Sequence, residues 1–301
     1  MRRKIPTSLV CAGHCDFAIL SEIEREILVR AGGLAKLQAD VPAMLRECID
    51  DVIQTPRTGR RSYDELEKTE KTYIGTRVEI MLRALLGFKR GKLDLKIGEH
   101  DVDVKHTMGG NWMIPTEAVD HPCILIAADE EHALCYTGLI IARPEYLTAS
   151  SNRDAKKSIS AEGFQHVHWL LNGTPYPPNF WRTVASAAVE QIFSGSSGNA
   201  RAVSLFSHVR DRSVSRTVIE AVGRQKDFMR RIRADKGRRG TRGALARRGI
   251  VLMSGDYDRQ LARAFNLTPP GPSEFMSHLV LNEREAALAR AAGYQVPWPT
   301  N

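Results

Sequence analysis

Apolar residues recur at helical spacing through the first fifty positions. Ile23, Ile27 and Leu28 follow Ser21, which can cap the run, and Val41, Leu45 and Ile49 form a second stripe. A break rich in arginine, Pro56-Arg57-Thr58-Gly59-Arg60-Arg61, reads as a loop. Helical spacing returns over residues 76–86, where Val78, Leu82, Leu85 and Leu86 make an apolar stripe with Glu79 beside it, placed to reach a cleft. The pattern then changes to alternation. Residues 93–105 read as a hairpin turning near Gly98, and residues 123–128 and 133–141 read as strands. Helices backing a mixed sheet make this half of the chain an α/β (α+β) domain.

Residues 172–181 hold Gly173, Pro175, Pro177 and Pro178, a linker composition. The expected division is therefore a domain over 1–171 with an N-terminal helical extension, a linker over 172–181, and a second domain over 182–301. A looser Ser- and Gly-rich stretch follows at 194–199. Beyond it the pattern is mainly helical, as in Val218, Ile219 and Val222, and an apolar strand follows at 250–253. The chain has no internal repeat.

Charge sharpens this division. Of a net charge of +8, the segment from Arg201 to Arg248 contributes +11, from fifteen Lys or Arg and four Asp or Glu, so the remainder sums to −3. A basic segment on a slightly acidic remainder suggests that one part grips phosphate while the other uses carboxylates. The five cysteines are odd in number and sparse, which argues against a disulfide framework and suits a reducing cytoplasm. The first residues lack a signal-peptide core, and no apolar run approaches the roughly 20 residues that span a bilayer, so a soluble cytoplasmic protein with no membrane partner is expected.

The candidate chemistry lies in Asp101-Val102-Asp103-Val104-Lys105. In a strand, alternate residues share a face, about 6.6 Å apart, so Asp101, Asp103 and Lys105 form a charged, exposed face and the valines a buried one. Phosphodiester hydrolysis needs a hard cation on carboxylate oxygens, a positioned water, and positive charge near the phosphate. Asp103 and a second acid supply a cation site, and Lys105 can orient the water or stabilise developing charge. Asp94 on the preceding strand and Glu79 on the helix can join them. Asp94, Asp103 and Lys105 fit the loose PD-(D/E)xK nuclease pattern with Leu93 in place of the proline. The bland alternative is a solvated strand face with cross-strand charge pairs.

Longer stretches carry a more specific resemblance. Arg57-Thr58-Gly59-Arg60, Leu66-Glu67-Lys68-Thr69-Glu70-Lys71-Thr72 and Gly75-Thr76-Arg77-Val78-Glu79-Ile80 resemble the NaeI family of type II restriction endonucleases. So do Ala149-Ser150-Ser151-Asn152-Arg153-Asp154, Gln191-Ile192-Phe193 and Asp227-Phe228-Met229-Arg230-Arg231. The resemblance covers most of the chain between about Asp51 and Pro270. It implies a restriction-endonuclease-like domain joined to a mainly helical, winged-helix, topoisomerase-like DNA-binding domain. It also implies a homodimer from a restriction-modification system that cuts a GC-rich palindrome with Mg2+, activated by a second DNA copy at the C-terminal domain. By position, Glu79, Asp94, Asp103 and Lys105 fall at the family's catalytic places, with Glu79, Asp94 and Asp103 as metal ligands. Val104 stands where the family has a cysteine. DNA contacts are expected at Arg57, Arg60, Arg61, Lys71, Arg153, Arg216, Arg230, Arg231, Arg233, Arg238 and Arg239, with Arg242 another phosphate contact.

Several other readings compete. Cys11, His14 and Cys15, with Cys48, offer a weak zinc pattern against ordinary buried thiols. His166 and His168, near Trp169, read as a surface strand or helix end rather than a ligand pair. The chain could instead be a winged-helix regulator on a dead nuclease fold, or a nicking, repair or strand-passing enzyme using Tyr63, Tyr73 or Tyr257. Intact Glu79, Asp94, Asp103 and Lys105 argue against a dead site, and no His or Arg constellation supports a tyrosine nucleophile.

Overall fold

The computed structural model describes residues 5–224, 232 and 240–297. Two amphipathic helices open the chain. α1 (Phe17–Ala31) buries Leu20, Ile23, Ile27 and Ala31, and α2 (Leu34–Ile53) buries Val41, Leu45, Cys48 and Ile49. Asp16, not Ser21, precedes α1. The arginine-rich break contains a single helical turn, α3 (Thr55–Thr58), closed by Gly59 at φ 73°. α4 (Lys68–Leu86) starts earlier than its apolar stripe because a reciprocal capping box of Glu67 and Glu70 secures a polar first turn.

Among the described residues, ten strands follow in three sheets. The first unit holds β1 (Leu95–Ile97), β2 (His100–Thr107), β3 (Met113–Ile114), β4 (Pro122–Asp129), β5 (Leu134–Ile141), β6 (Leu147–Ser151), β7 (Lys157–Ile159) and β8 (His168–Pro175). The main sheet runs β1-β2-β4-β5-β8, and the small one β3-β7-β6. β2 and β4 are parallel and the other neighbours of the main sheet antiparallel, so it is mixed. Alternation decides which way each side chain packs. Ile124 and Ile126 of β4 join Val102, Val104 and the helices in one core, while Cys123 and Leu125 join Trp112, Ile114 and Ile159 in another. Burial on both faces explains why β4 reads as an unbroken apolar run. Asp103 and Lys105 pair in register with Cys123 and Leu125, so they face the side that carries the small sheet.

The boundary between two compact units falls inside the expected linker, whose first residues belong to a strand. Residues 172–175 finish β8, an edge strand, where a terminal proline removes no needed ladder bond. By packing, one compact unit comprises Met1–Ile53 and Ser62–Asn179, and the other Gln54–Arg61 and Phe180–Asn301. The chain therefore passes between them three times, after Ile53, Arg61 and Asn179.

The second unit contains α5 (Ser186–Phe193), α6 (Gly198–His208), α7 (Arg216–Gly223), α8 (Thr241–Ala246), β9 (Ile250–Ser254), α9 (Arg259–Ala264), β10 (Phe275–Leu279) and α10 (Glu283–Ala291). β9 and β10 are antiparallel, and Val214 bridges to Phe275, giving the spatial order Val214–β10–β9. Val203, Phe206, Ile219, Val222 and Leu252 share a core. No helix among the described residues is long and apolar enough to cross a membrane.

Candidate active site

A tight hairpin builds the site. Ile97 pairs with His100 across a two-residue turn, and Gly98 takes φ 55° there, a conformation glycine adopts without a Cβ clash. β1 ends its ladder at Leu95, opposite Val102. One residue earlier, the Asp94 carboxylate continues it by accepting the Val104 N–H at 2.8 Å. This fixes Asp94 beside Asp103. The Lys105 ammonium donates to Asp103 Oδ1 at 2.7 Å and to the Val104 carbonyl at 3.2 Å. Glu79 approaches from α4, close enough for its charge to interact with Asp94, Asp103 and Lys105.

Two expectations need correction. The charged face of β2 is not exposed throughout, because Asp103 retains only 4% of its surface. Asp101 does not join the cluster: it accepts the Lys92 N–H at 2.6 Å and pairs with Lys96 at 3.6 Å. Gly91 makes room for that contact, since a Cβ there would strike the Asp101 carboxylate.

Burial sets the electrostatics. It pushes the Glu79 carboxyl up to about 7, with Asp94 and Asp103 adding and Lys105 and Arg83 opposing. It pushes Asp103 up to about 6, against the pull of Lys105 and with a push from Asp94. Burial alone would lower Lys105, but Asp103, Asp94 and Glu79 outweigh it and the group is raised, so Lys105 remains a cation. It is suited to stabilising negative charge rather than to accepting a proton. Arg83, one turn beyond Glu79 on α4, is a member of this field that the sequence reading missed; its signal is the i, i+4 spacing.

The donor set fits a hard divalent cation. Asp103 Oδ2 is buried without a hydrogen-bond partner, and the Asp94 carboxyl lies near enough to push on its charge. The group of three ligand atoms within 4.8 Å of one another among the described residues lies elsewhere, at His14, Cys15 and Asp16. That group is satisfied without an ion. Asp16 accepts from Arg143 and Tyr146, and its N–H donates to His14 Nδ1, which leaves His14 Nε2 to donate to His166 Nδ1 at 2.8 Å. Cys48 lies in the core, whereas Cys11 and Cys15 are exposed, so neither the zinc pattern nor the buried-thiol reading describes them. His166 ends a 3-10 turn, and His168 pairs with Glu24 at 2.7 Å.

The expected DNA contacts disperse. Arg57, Arg60 and Arg61 belong to the second unit rather than to the unit that holds the acidic cluster. Lys71 lies on α4 over the Tyr63 ring, Arg153 at the exposed tip between β6 and β7, and Arg216 against Glu220 in α7. Arg230, Arg231, Arg233, Arg238 and Arg239 lie outside the described residues, as does the 227–231 stretch. Two arginines of the basic block have structural duties. Arg201 donates to the carbonyls of Val222 and Gly195, and Arg242 donates to the Ile232 carbonyl and Tyr294 and pairs with Asp258. The tyrosine reading loses ground too, because burial and nearby Asp64 raise the Tyr63 phenol, which opposes phenolate formation.

A mixed sheet backed by helices fits a restriction-endonuclease-like domain. Sequence comparison identifies the particular group. Residues 38–293 match the family model for restriction endonuclease NaeI. The chain is also 34% identical over 263 residues to the type II restriction enzyme NaeI of Lentzea aerocolonigenes, covering 84% of this chain and 81% of that enzyme. The chain belongs to the NaeI restriction endonuclease family, and it is a type II site-specific deoxyribonuclease.

Proposed function

We propose that Glu79, Asp94, Asp103 and Lys105 are the catalytic residues of a Mg2+-dependent cut at a short GC-rich palindrome. The observation that carries this is the buried Asp103 carboxylate, held between Asp94 and Lys105 with one oxygen unpartnered. Asp94 and Asp103, with Glu79, would hold the cation, which supplies Lewis acidity toward the scissile phosphate. Lys105 places its positive charge beside the acids, where charge develops on the phosphate. One such site per chain cuts one strand, so a palindrome calls for a two-fold homodimer.

The second unit is read as a winged-helix DNA-binding domain over 182–301, with a nuclease domain over 1–171. Support comes from α6, Val214, α7, α8, β9 and β10 in that chain order, with β10 between Val214 and β9. In this reading a second DNA copy on that domain favours the cleavage-competent state through differential affinity. A cytoplasmic member of a restriction-modification system fits all of this. Its test is a one-site plasmid against a two-site plasmid, with a short cognate duplex then added in trans. Slow cutting of the one-site plasmid, rescued by the duplex, is expected. Equal rates with no response would reduce the second domain to an anchor.

The raised carboxyls give a pH prediction. A carboxyl whose folded pKa exceeds its unfolded value stabilises the fold while protonated, and that contribution is lost as pH rises. For Asp103 and Glu79 the loss runs from about 4 to about 6 and 7, respectively. A divalent cation should restore it, so the rise in Tm on adding Ca2+ should be small at pH 5 and large at pH 8. A rise independent of pH would contradict cation binding at these groups.

A further inference from the structure

The segment Gln54–Arg61 leaves the first unit after α2, packs with the second, and returns at Ser62 ahead of α4. It carries three arginines and no acid. Its own elements explain its position. α3 packs on α7, and the Arg61 guanidinium lies 5.1 Å from the centre of the Phe193 ring of α5. Gly59 turns the chain at φ 73°, and Arg224 Nη2 is 3.9 Å from the position a Cβ would take there. Arg224 is the residue after α7, exposed and in the left-handed conformation. Arg57 is exposed as well. Neither Arg57 nor Arg224 has an acidic partner among the described residues. Arg201 lies close enough to feel the charge of Arg224. Positive charges that a fold gathers without counter-ions repel one another, and a polyanion relieves that cost.

We propose that Arg57 and Arg224 form a phosphate-gripping surface of the second unit, taking the backbone of the activating duplex rather than the duplex being cut. The surface is composite, built from an early segment of the chain and the end of α7. This inference rests on the two-copy reading above and deepens it. It treats the arginine-rich segment as part of the second unit, whereas its place just before α4 reads as part of the first. It also implies that a fragment beginning near Arg182 lacks part of the surface. Because Gln54–Arg61 is covalently continuous with both α2 and α4, strain on this surface has a short route, seven residues of chain, from Arg61 to Lys68 at the start of the helix that carries Glu79.

The test uses the full chain with Arg57→Gln and Arg224→Gln together, substitutions that remove the charge, keep a polar side chain and change two exposed positions. A one-site plasmid is cut while a short cognate duplex is titrated in trans. The half-activating concentration should rise tenfold or more, with the rate at saturating duplex within about twofold of the unaltered chain. An unchanged half-activating concentration together with a lower saturating rate would overturn the assignment and return these arginines to the cut duplex. If the unaltered chain shows no activation, the two-copy reading fails instead. The surface itself is then judged by salt dependence of binding to a non-cognate duplex in Ca2+. Loss of two phosphate contacts should flatten the log–log slope by about 1.8, and an unchanged slope would refute the surface.

Discussion

Asp103→Ala should abolish cleavage while duplex binding stays near its original strength. Asp103 is the most buried of the clustered acids, hydrogen-bonded to Lys105 and adjacent to Asp94. Its removal would take away both the proposed cation ligand and the carboxylate that Lys105 bonds. A loss of several kcal/mol in barrier lowering corresponds to roughly three orders of magnitude or more in rate. The variant should remain folded, because burial makes the charged carboxylate a cost to the metal-free protein at neutral pH. Single-turnover cleavage and anisotropy binding on the same duplex read the two properties separately. A variant that cuts within tenfold of the unaltered chain would remove Asp103 from the site.

Lys105→Ala should be similarly inactive for a different reason, and should still bind the cation. An ammonium is no metal ligand, and the surrounding carboxylates keep Lys105 charged, so its contribution is to the phosphate or the water. Removing it also removes a positive charge beside Asp94, Asp103 and Glu79, so Ca2+ affinity measured by calorimetry should hold or increase. Loss of ion binding in the variant would mean that Lys105 shapes the site instead.

The nuclease half was legible where a periodicity changed. The stripe of Val78 and Leu82, the alternation around Gly98 and the apolar run of β4 each have one dominant pattern, and the observed elements follow it. What was hidden depended on long-range partners. Alternation puts Asp101 with Asp103, but only the turn at Gly91 and Lys92 draws Asp101 away. Gly173 and Pro175 look like part of a linker, yet they close an edge strand, and Pro177 and Pro178 lie beyond it. No local signal assigns Gln54–Arg61 to the second unit, because that assignment rests on α7 and Phe193, far along the chain. β10 also escaped, since Phe275–Leu279 is strand only by pairing with β9 and Val214. Arg201 and Arg242 count as positive charge in composition, while their donors are occupied by backbone carbonyls and Tyr294.

The cluster of Asp94, just ahead of β1, with Asp103 and Lys105 of β2 and Glu79 of α4, is expected to cut DNA at one sequence and to need a divalent cation to do so. The most direct measurement is digestion of one plasmid of known sequence by the unaltered chain and by Asp103→Ala, each with and without Mg2+, followed by sizing of the products. A fixed set of discrete fragments is expected only from the unaltered chain with Mg2+. Discrete fragments without Mg2+, or the same fragments from Asp103→Ala, would contradict it.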